Sequence, residues 1–145
     1  MSLKQLFTQK LTSLSSEASV TECARIMREK DIGAILVTEN GSPKGVVTDR
    51  DLVLRLIADG TDCRNVKVKE VMSRVVETIS CDEGILNACQ KMKNAHVRRL
   101  PVVDNNQKAI GLLSLDDLFQ LIGQEMSCLA DAVKPLASDR LQRAA

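Results

Sequence analysis

The chain has 145 residues, 20 Lys and Arg against 19 Asp and Glu for a net charge of +1, and a hydrophobic share of 44%. That length and composition fit one compact domain, or two half-sized units sharing a core, and exclude a disordered chain. Two aromatic residues, Phe7 and Phe119, and a near-zero charge exclude binding single-stranded nucleic acid by base stacking and the basic surface of a general nucleic-acid binder.

No run approaches the ~18 apolar residues of a membrane span, and Met1–Phe7 lacks the sustained apolar segment of a signal peptide. The cysteines, Cys23, Cys63, Cys81, Cys89 and Cys128, are odd in number and show no C-x-x-C pair. Reduced thiols in a cytoplasmic protein are therefore expected, and with a single histidine they form no metal-ligand pattern. Cys89 is expected in the core, and Cys63 and Cys81 at the surface without the electropositive surroundings of a reactive thiolate.

In chain order, Leu11, Leu14 and Ser15 supply a short leading strand. A helix follows, with Ser19 and Glu22 spaced for a capping box and Val20, Cys23, Ala24 and Met27 at the i, i+3, i+4, i+7 spacing of one buried face. Ile32, Ile35 and Val37 read as a strand, and Glu39–Lys44 as a turn whose Asn40 and Gly41 tolerate positive φ. Gly45, Val46 and Val47 resume a strand that hands over at Thr48 to a second helix. From Asp59 to Lys69, Gly60 and five charged residues suggest a surface crossover.

The pattern then repeats. At an offset of 65, Ile85, Ala88, Cys89 and Met92 take the places of Val20, Cys23, Ala24 and Met27, and Val97, Leu100 and Val102 those of Ile32, Ile35 and Val37. The turn Asp104–Lys108 carries one extra residue, after which Gly111–Leu118 lies over Gly45–Leu52 at an offset of 66. Each copy reads strand–helix–strand–strand–helix. The expected organisation is a first repeat over residues 1–62, a linker over 63–70, a second repeat over 71–123 and a helical tail over 124–145. In that tail Met126, Leu129, Val133, Leu136 and Leu141 are interrupted by Pro135, so it is expected to dock on a neighbour or to fray. A single repeat would bury too little surface to be stable alone, and two solve this by sharing a core.

Thr48-x-x-Asp51 and Ser114-x-x-Asp117 stand where a strand becomes a helix. A hydroxyl at the N-cap and an acid at N3 satisfy exposed N–H groups, which explains these residues without any ligand. The same arrangement offers helix N–H donors for a phosphate and a carboxylate that accepts from a ribose diol. His96, near a helix C-terminus, suits the dipole there. Neither it nor any cysteine has a partner for nucleophilic or acid–base catalysis, so no catalytic residue and no enzymatic activity are expected.

The paired Gly-hydrophobic-hydrophobic-Thr/Ser-x-x-Asp motifs, the strand Val97–Asp104 and the lead-in Val68–Met72 resemble a tandem pair of cystathionine β-synthase (CBS) domains, over about Leu11 to Gly123. The resemblance implies an α/β fold of two βαββα repeats related by a pseudo-two-fold axis, with strand faces packed together, helices outside and two clefts between the repeats. Many members bind AMP, ADP or ATP there, and some S-adenosylmethionine. Carried over, Thr48 and Asp51 face Val97, Arg98 and Arg99 across the first cleft, and Ser114 and Asp117 face Ile32, Gly33 and Ala34 across the second. Arg98 and Arg99, with Arg50 at the helix start, favour phosphate in the first cleft. The second, with Gly33, Ala34 and Asp116 instead, is expected to stay empty or to take adenosine without strong phosphate contacts. The first copy has Leu36 where the second has Pro101.

The leading expectation is a non-enzymatic regulatory module that binds an adenine nucleotide and signals to a protein partner. It is expected to form a homodimer through Leu52, Val53, Leu56 and Ile57 and through Leu118, Phe119, Leu121 and Ile122. The alternatives are a ligand-free interaction or dimerisation module, and an S-adenosylmethionine sensor.

Overall fold

The computed structural model describes Leu3 and residues 11–143, with side chains to residue 133. It is a mixed α/β structure with two sheets, ordered β1-β2-β3-β4 and β5-β6-β7. The first repeat contributes β1 (Ser13–Leu14), α1 (Val20–Lys30), β2 (Ala34–Glu39), β3 (Ser42–Thr48) and α2 (Asp49–Leu52), which continues as a π-helical turn, Val53–Ile57. A 3-10 turn, Cys63–Asn65, and α3 (Val68–Val71) lead to β4 (Ser73–Arg74). The second repeat gives β5 (Ile79–Ser80), α4 (Ile85–Ala95), β6 (Arg99–Val103), β7 (Ala109–Ser114) and α5 (Leu115–Arg143). The backbone divides into two compact units, Met1–Leu113 and Ser114–Ala145.

The repeat is visible in strand register. Leu14 pairs with Val37 in the parallel β1–β2 ladder, and Ile79 with Val102 in β5–β6, each partner displaced by the same 65 residues. The β2–β3 hairpin turns on Asn40 at φ 49° and Gly41 at φ 77°, the pair of positive φ angles that matches strand twist in a two-residue loop. The hairpin tips of the two repeats touch. The Ala109 N–H donates to the Gly41 carbonyl at 2.8 Å, and the Lys108 ammonium donates to the Asn40 carbonyl.

Apolar spacing selects the core. Val20, Cys23 and Met27 of α1 pack with Ile35, Val37, Val47, Leu56, Val68 and Val71. Ala24, expected on that face, is exposed, and Ile26 packs against the cluster in its place, so the buried stripe turns one residue the other way. In α4, Ala88 and Met92 are buried while Ile85 and Cys89 are only half-buried. Cys81, expected at the surface, is buried, and its N–H extends the β5–β6 ladder to the Val103 carbonyl at 2.9 Å. Cys63 is half-buried against the first core.

The Ser19 hydroxyl caps α1 by accepting from the Glu22 N–H at 3.1 Å, while the Ser19 backbone bridges to Lys67. That bridge belongs to a wider departure from the surface crossover. Val66 accepts from the Val20 N–H at 3.1 Å, Val68 donates to the Ala18 carbonyl at 2.9 Å, and Val68 and Val71 are buried in the first core. The segment after Thr48, read as one helix, is four α-helical residues and then a π-helical turn that buries Leu56. Pro135 lies within α5, which continues to Arg143. No helix among the described residues is long and apolar enough to cross a membrane.

Candidate functional site

A cleft of about 330 Å³ opens within the first unit, lined by Val46, Thr48 and Asp51 from the first repeat, the segment Ser73–Glu77, and Val97, Arg98, Arg99 and Pro101 from the second. Its volume lies at the small end of the ~300–1,000 Å³ typical of small-molecule sites. Five of the six residues expected at the first cleft therefore come together from chain segments about fifty residues apart. The sixth, Arg50, is exposed and does not line it. Thr48 at the N-cap and Asp51 at N3 share one side of the helix start, and the rotation of ~100° per residue turns N2 away.

The Thr48–Asp51 pair is a full capping box. Asp51 Oδ2 accepts from the Thr48 N–H at 2.9 Å and from the Thr48 hydroxyl at 2.8 Å, and Thr48 Oγ1 accepts from the Asp51 N–H at 3.1 Å. Asp51 Oδ1 lies 3.4 Å from the Arg55 guanidinium, which the π-helical turn brings within 2.6 Å of the Val71 carbonyl. A carboxylate offers about four acceptor positions. Thr48 and Arg55 occupy three, so one is left for a ligand hydroxyl, and a second becomes available if the long Arg55 contact opens.

The same accounting corrects the expectation that the helix N-terminus holds phosphate. The Asp49 N–H is spent on the Gly33 carbonyl at 3.1 Å, the Arg50 N–H on Asp49 Oδ1 at 2.8 Å, and the Asp51 N–H on Thr48. The Thr48 hydroxyl proton is given to Asp51. No donor of this four-residue helix start remains for an anion. Anion attraction in the cleft comes instead from Arg74, Arg98 and Arg99, none of which makes an ion pair or side-chain hydrogen bond among the described residues. Of the two cleft acids, Glu77 is held by Lys91, whose ammonium lies 3.2 Å from it and 3.3 Å from Glu83. Burial opposes the charge on Lys91, but hydrogen bonds to Glu77 and Glu83 outweigh it and raise the pKa above the ordinary lysine value.

The rest of the wall is apolar. Val46, Val75, Val97 and Pro101 line it, and Val76 remains 69% exposed beside them. Sequence reasoning missed Val46, Ser73–Glu77 and Pro101. The segment Ser73–Glu77 follows the lead-in Val68–Met72, and its two-residue strand pairs Gly45 with Arg74 and Val46 with Ser73. A strand that short leaves no periodicity to read.

For the second cleft, Ile32, Gly33 and Ala34 lie in the first unit and Ser114 and Asp117 in the second. Gly33 is occupied from its own repeat, since a Cβ there would stand 3.1 Å from Asp49 Oδ2. Ser114 and Asp117 reproduce the capping box, with Asp117 Oδ2 accepting from the Ser114 N–H at 2.7 Å and the hydroxyl at 2.6 Å. His96 is the left-handed C-cap of α4 at φ 53°. No group of His, Cys, Asp and Glu among the described residues is arranged to hold a metal ion.

The family model for the CBS domain matches residues 3–58 and again 68–124. The chain belongs to the CBS domain family. Among its relatives, the CBS domain-containing protein YhcV of Bacillus subtilis is 37% identical over 117 residues, 81% of this chain and 82% of that one. A protein of Methanopyrus kandleri is 36% identical over 112 residues, and the match spans 77% of this chain but only 57% of that one. Among solved structures, a CBS domain protein of Pyrobaculum aerophilum complexed with AMP shares the fold with a TM-score of 0.71 at 24% identity, over 81% of this chain and 89% of that one. In this CBS domain pair the 65-residue repeat is therefore a domain duplication, and the cleft described above is lined by both copies.

Proposed function

We propose that the protein is a non-enzymatic regulatory module that binds an adenine nucleotide in the first cleft and passes its occupancy to a protein partner. The observation that carries this reading is that an acceptor carboxylate, Asp51, and three guanidiniums unpaired among the described residues, Arg74, Arg98 and Arg99, line one cleft together with apolar side chains. A ribose hydroxyl donates to Asp51, the purine lies against the valines and Pro101, and the guanidiniums take the phosphate through forked, charge-assisted hydrogen bonds. The Pyrobaculum protein of the same fold was captured with AMP, which supports this choice of ligand class.

Regulation follows from differential binding. A nucleotide that touches Asp51 from one repeat and Arg98 and Arg99 from the other favours whichever arrangement of the repeats it fits best. A homodimer belongs to the same reading, as does a reducing, cytoplasmic location, which suits five free thiols.

Calorimetric titration with AMP, ADP, ATP and S-adenosylmethionine tests the proposal. Saturable binding of an adenine nucleotide is expected, with adenosine markedly weaker. If none of the four binds at millimolar concentration, the ligand-free alternative takes its place.

A further inference from the structure

Two carboxylates, Asp51 and Glu77, line the first cleft together with Arg74, Arg98 and Arg99. A carboxylate beside guanidiniums is their ordinary partner, through short, forked, charge-assisted hydrogen bonds. Neither acid pairs with them among the described residues. Each is held instead by a cation that does not line the cleft, Asp51 Oδ1 by Arg55 at 3.4 Å and Glu77 Oε1 by Lys91 at 3.2 Å.

Lys91 reaches Glu77 from α4, whose Ala88 and Met92 are buried. Its ammonium is fixed independently of Glu77. It donates to the Thr78 carbonyl at 2.9 Å and lies 3.3 Å from Glu83 Oε1. Glu83 is itself anchored, accepting from the Ser80 N–H at 3.0 Å and from the Asn87 amide at 3.2 Å. An ammonium has three protons, and Thr78, Glu83 and Glu77 take one each. The lysine is therefore the fixed member of the pair, and Glu77 is the member it holds.

The two copies differ at all three charged positions. At the 65-residue offset Glu77, Glu83 and Lys91 lie over Thr12, Ala18 and Ile26. Ala18 and Ile26 pack against the first core, so acids and cation are gained or lost together between the repeats.

We infer that Lys91 is a positioning residue that sets the preference of the first cleft for a nucleotide over a nucleoside, by occupying Glu77 and so leaving Arg74, Arg98 and Arg99 to the phosphate. The inference rests on the nucleotide reading given above and adds the residue that controls its specificity. Without the ammonium, the Glu77 carboxylate competes with phosphate for the guanidiniums and also repels it. Ribose and purine carry no charge and are not opposed in this way, so the effect falls on the phosphate alone.

Calorimetric titration with AMP, adenosine and inorganic pyrophosphate, run as a double-mutant cycle on the full chain, tests the inference. Lys91→Met is expected to lower the ratio of AMP to adenosine affinity about tenfold, the size of one uncompensated charge at a partly screened site. On the Glu77→Gln background the same substitution should change that ratio by less than about twofold, because no carboxylate is left to compete. A lysine with a merely structural role would weaken AMP and adenosine alike, whichever residue stands at position 77. If Lys91→Met melts below the assay temperature, Lys91→Gln carries the same cycle, since it keeps a donor for the Thr78 carbonyl but lacks the charge. When the parent binds AMP, a variant ratio within about twofold of the parent's, or an equal fall on both backgrounds, overturns the inference and leaves the nucleotide reading standing. A parent that binds pyrophosphate but no nucleotide, with the expected cycle in pyrophosphate affinity, contradicts the nucleotide reading and leaves the hold of Lys91 on Glu77 standing. A parent that binds neither overturns both.

Discussion

At the scale of single residues, the proposed function gives Asp51 two duties that compete for the same oxygens. Oδ2 is committed to Thr48 and Oδ1 faces Arg55. Asp51→Ala removes the ligand acceptor and half of the capping box together. Nucleotide affinity should weaken by about 1–3 kcal/mol, the cost of leaving a buried hydroxyl without its partner. Thr48→Ala separates the two duties, because it keeps the carboxylate but removes the hydroxyl that orients it. We expect about 1 kcal/mol of lost stability from the cap alone, read by thermal denaturation, with a smaller loss of affinity than in Asp51→Ala. Equal losses of affinity in the two variants would show that Asp51 acts only as a cap.

Cys23 is a second residue whose burial has a measurable consequence. Burial within the first core pushes its thiol from 9.0 up to about 11, with the charge of Glu22 adding to the shift. The folded state therefore resists ionisation that the unfolded chain accepts. Below pH 9 both states hold the proton and nothing is lost; as pH rises from 9 through 11 stability declines, by about 2–3 kcal/mol in all. Chemical denaturation of the parent and of Cys23→Ala between pH 8 and pH 11 should show this alkaline loss in the parent and a shallower one in the variant. Parallel pH profiles would contradict the assignment.

At the scale of elements, the β3–β4 contact frames the cleft, and Gly45 permits it. A Cβ at this position would lie 2.4 Å from the sulfur of Met72 and 3.0 Å from the Ser73 carbonyl. Because Gly45 pairs with Arg74, Gly45→Ala should push β4 outward, lower stability by about 1–3 kcal/mol and weaken the site through displaced Ser73 and Arg74. Thermal melts and nucleotide titrations of the same variant check both effects. A variant with parental melting temperature and affinity would mean that the edge strand adjusts freely.

Much of this was legible in the sequence because it is written in periodicity. Val20, Cys23 and Met27 of α1, the Asn40–Gly41 turn and the two capping boxes follow from spacing and residue type, whereas the same spacing puts Ala24 in the core where Ile26 packs. The contribution of Ser73–Glu77 was not legible, since two paired residues carry no period and Arg74 resembles any surface arginine until β3 lies beside it. The π-helical turn was also hidden. Its consequence, Arg55 reaching the Val71 carbonyl while facing Asp51, depends on α3 packing into the first core, where a surface linker was expected. Arg50 departs from its expected place for a geometric reason, because nearness along the chain to Asp51 is not nearness around the helix.

At the scale of the whole molecule, the two repeats divide the work of one site. The first copy presents a hydroxyl and a carboxylate and the second presents guanidiniums, so duplication has produced a cleft with unlike walls. Arg98 and Arg99 stand where the first copy has Gly33 and Ala34, and in the proposed function that difference favours phosphate in the first cleft. Replacing both arginines by alanine should bring AMP affinity down toward that of adenosine, with Arg74 keeping part of the phosphate contact, while leaving adenosine binding within about twofold, because only charge-assisted contacts are removed.

Nuclear magnetic resonance titration of the isotopically labelled protein with AMP tests the central claim most directly. Saturating shifts are expected at the amides of Thr48, Asp51, Ser73–Glu77 and Val97–Arg99, and they should collapse in the double arginine variant. Shifts confined to other regions, or none at millimolar AMP, would contradict it.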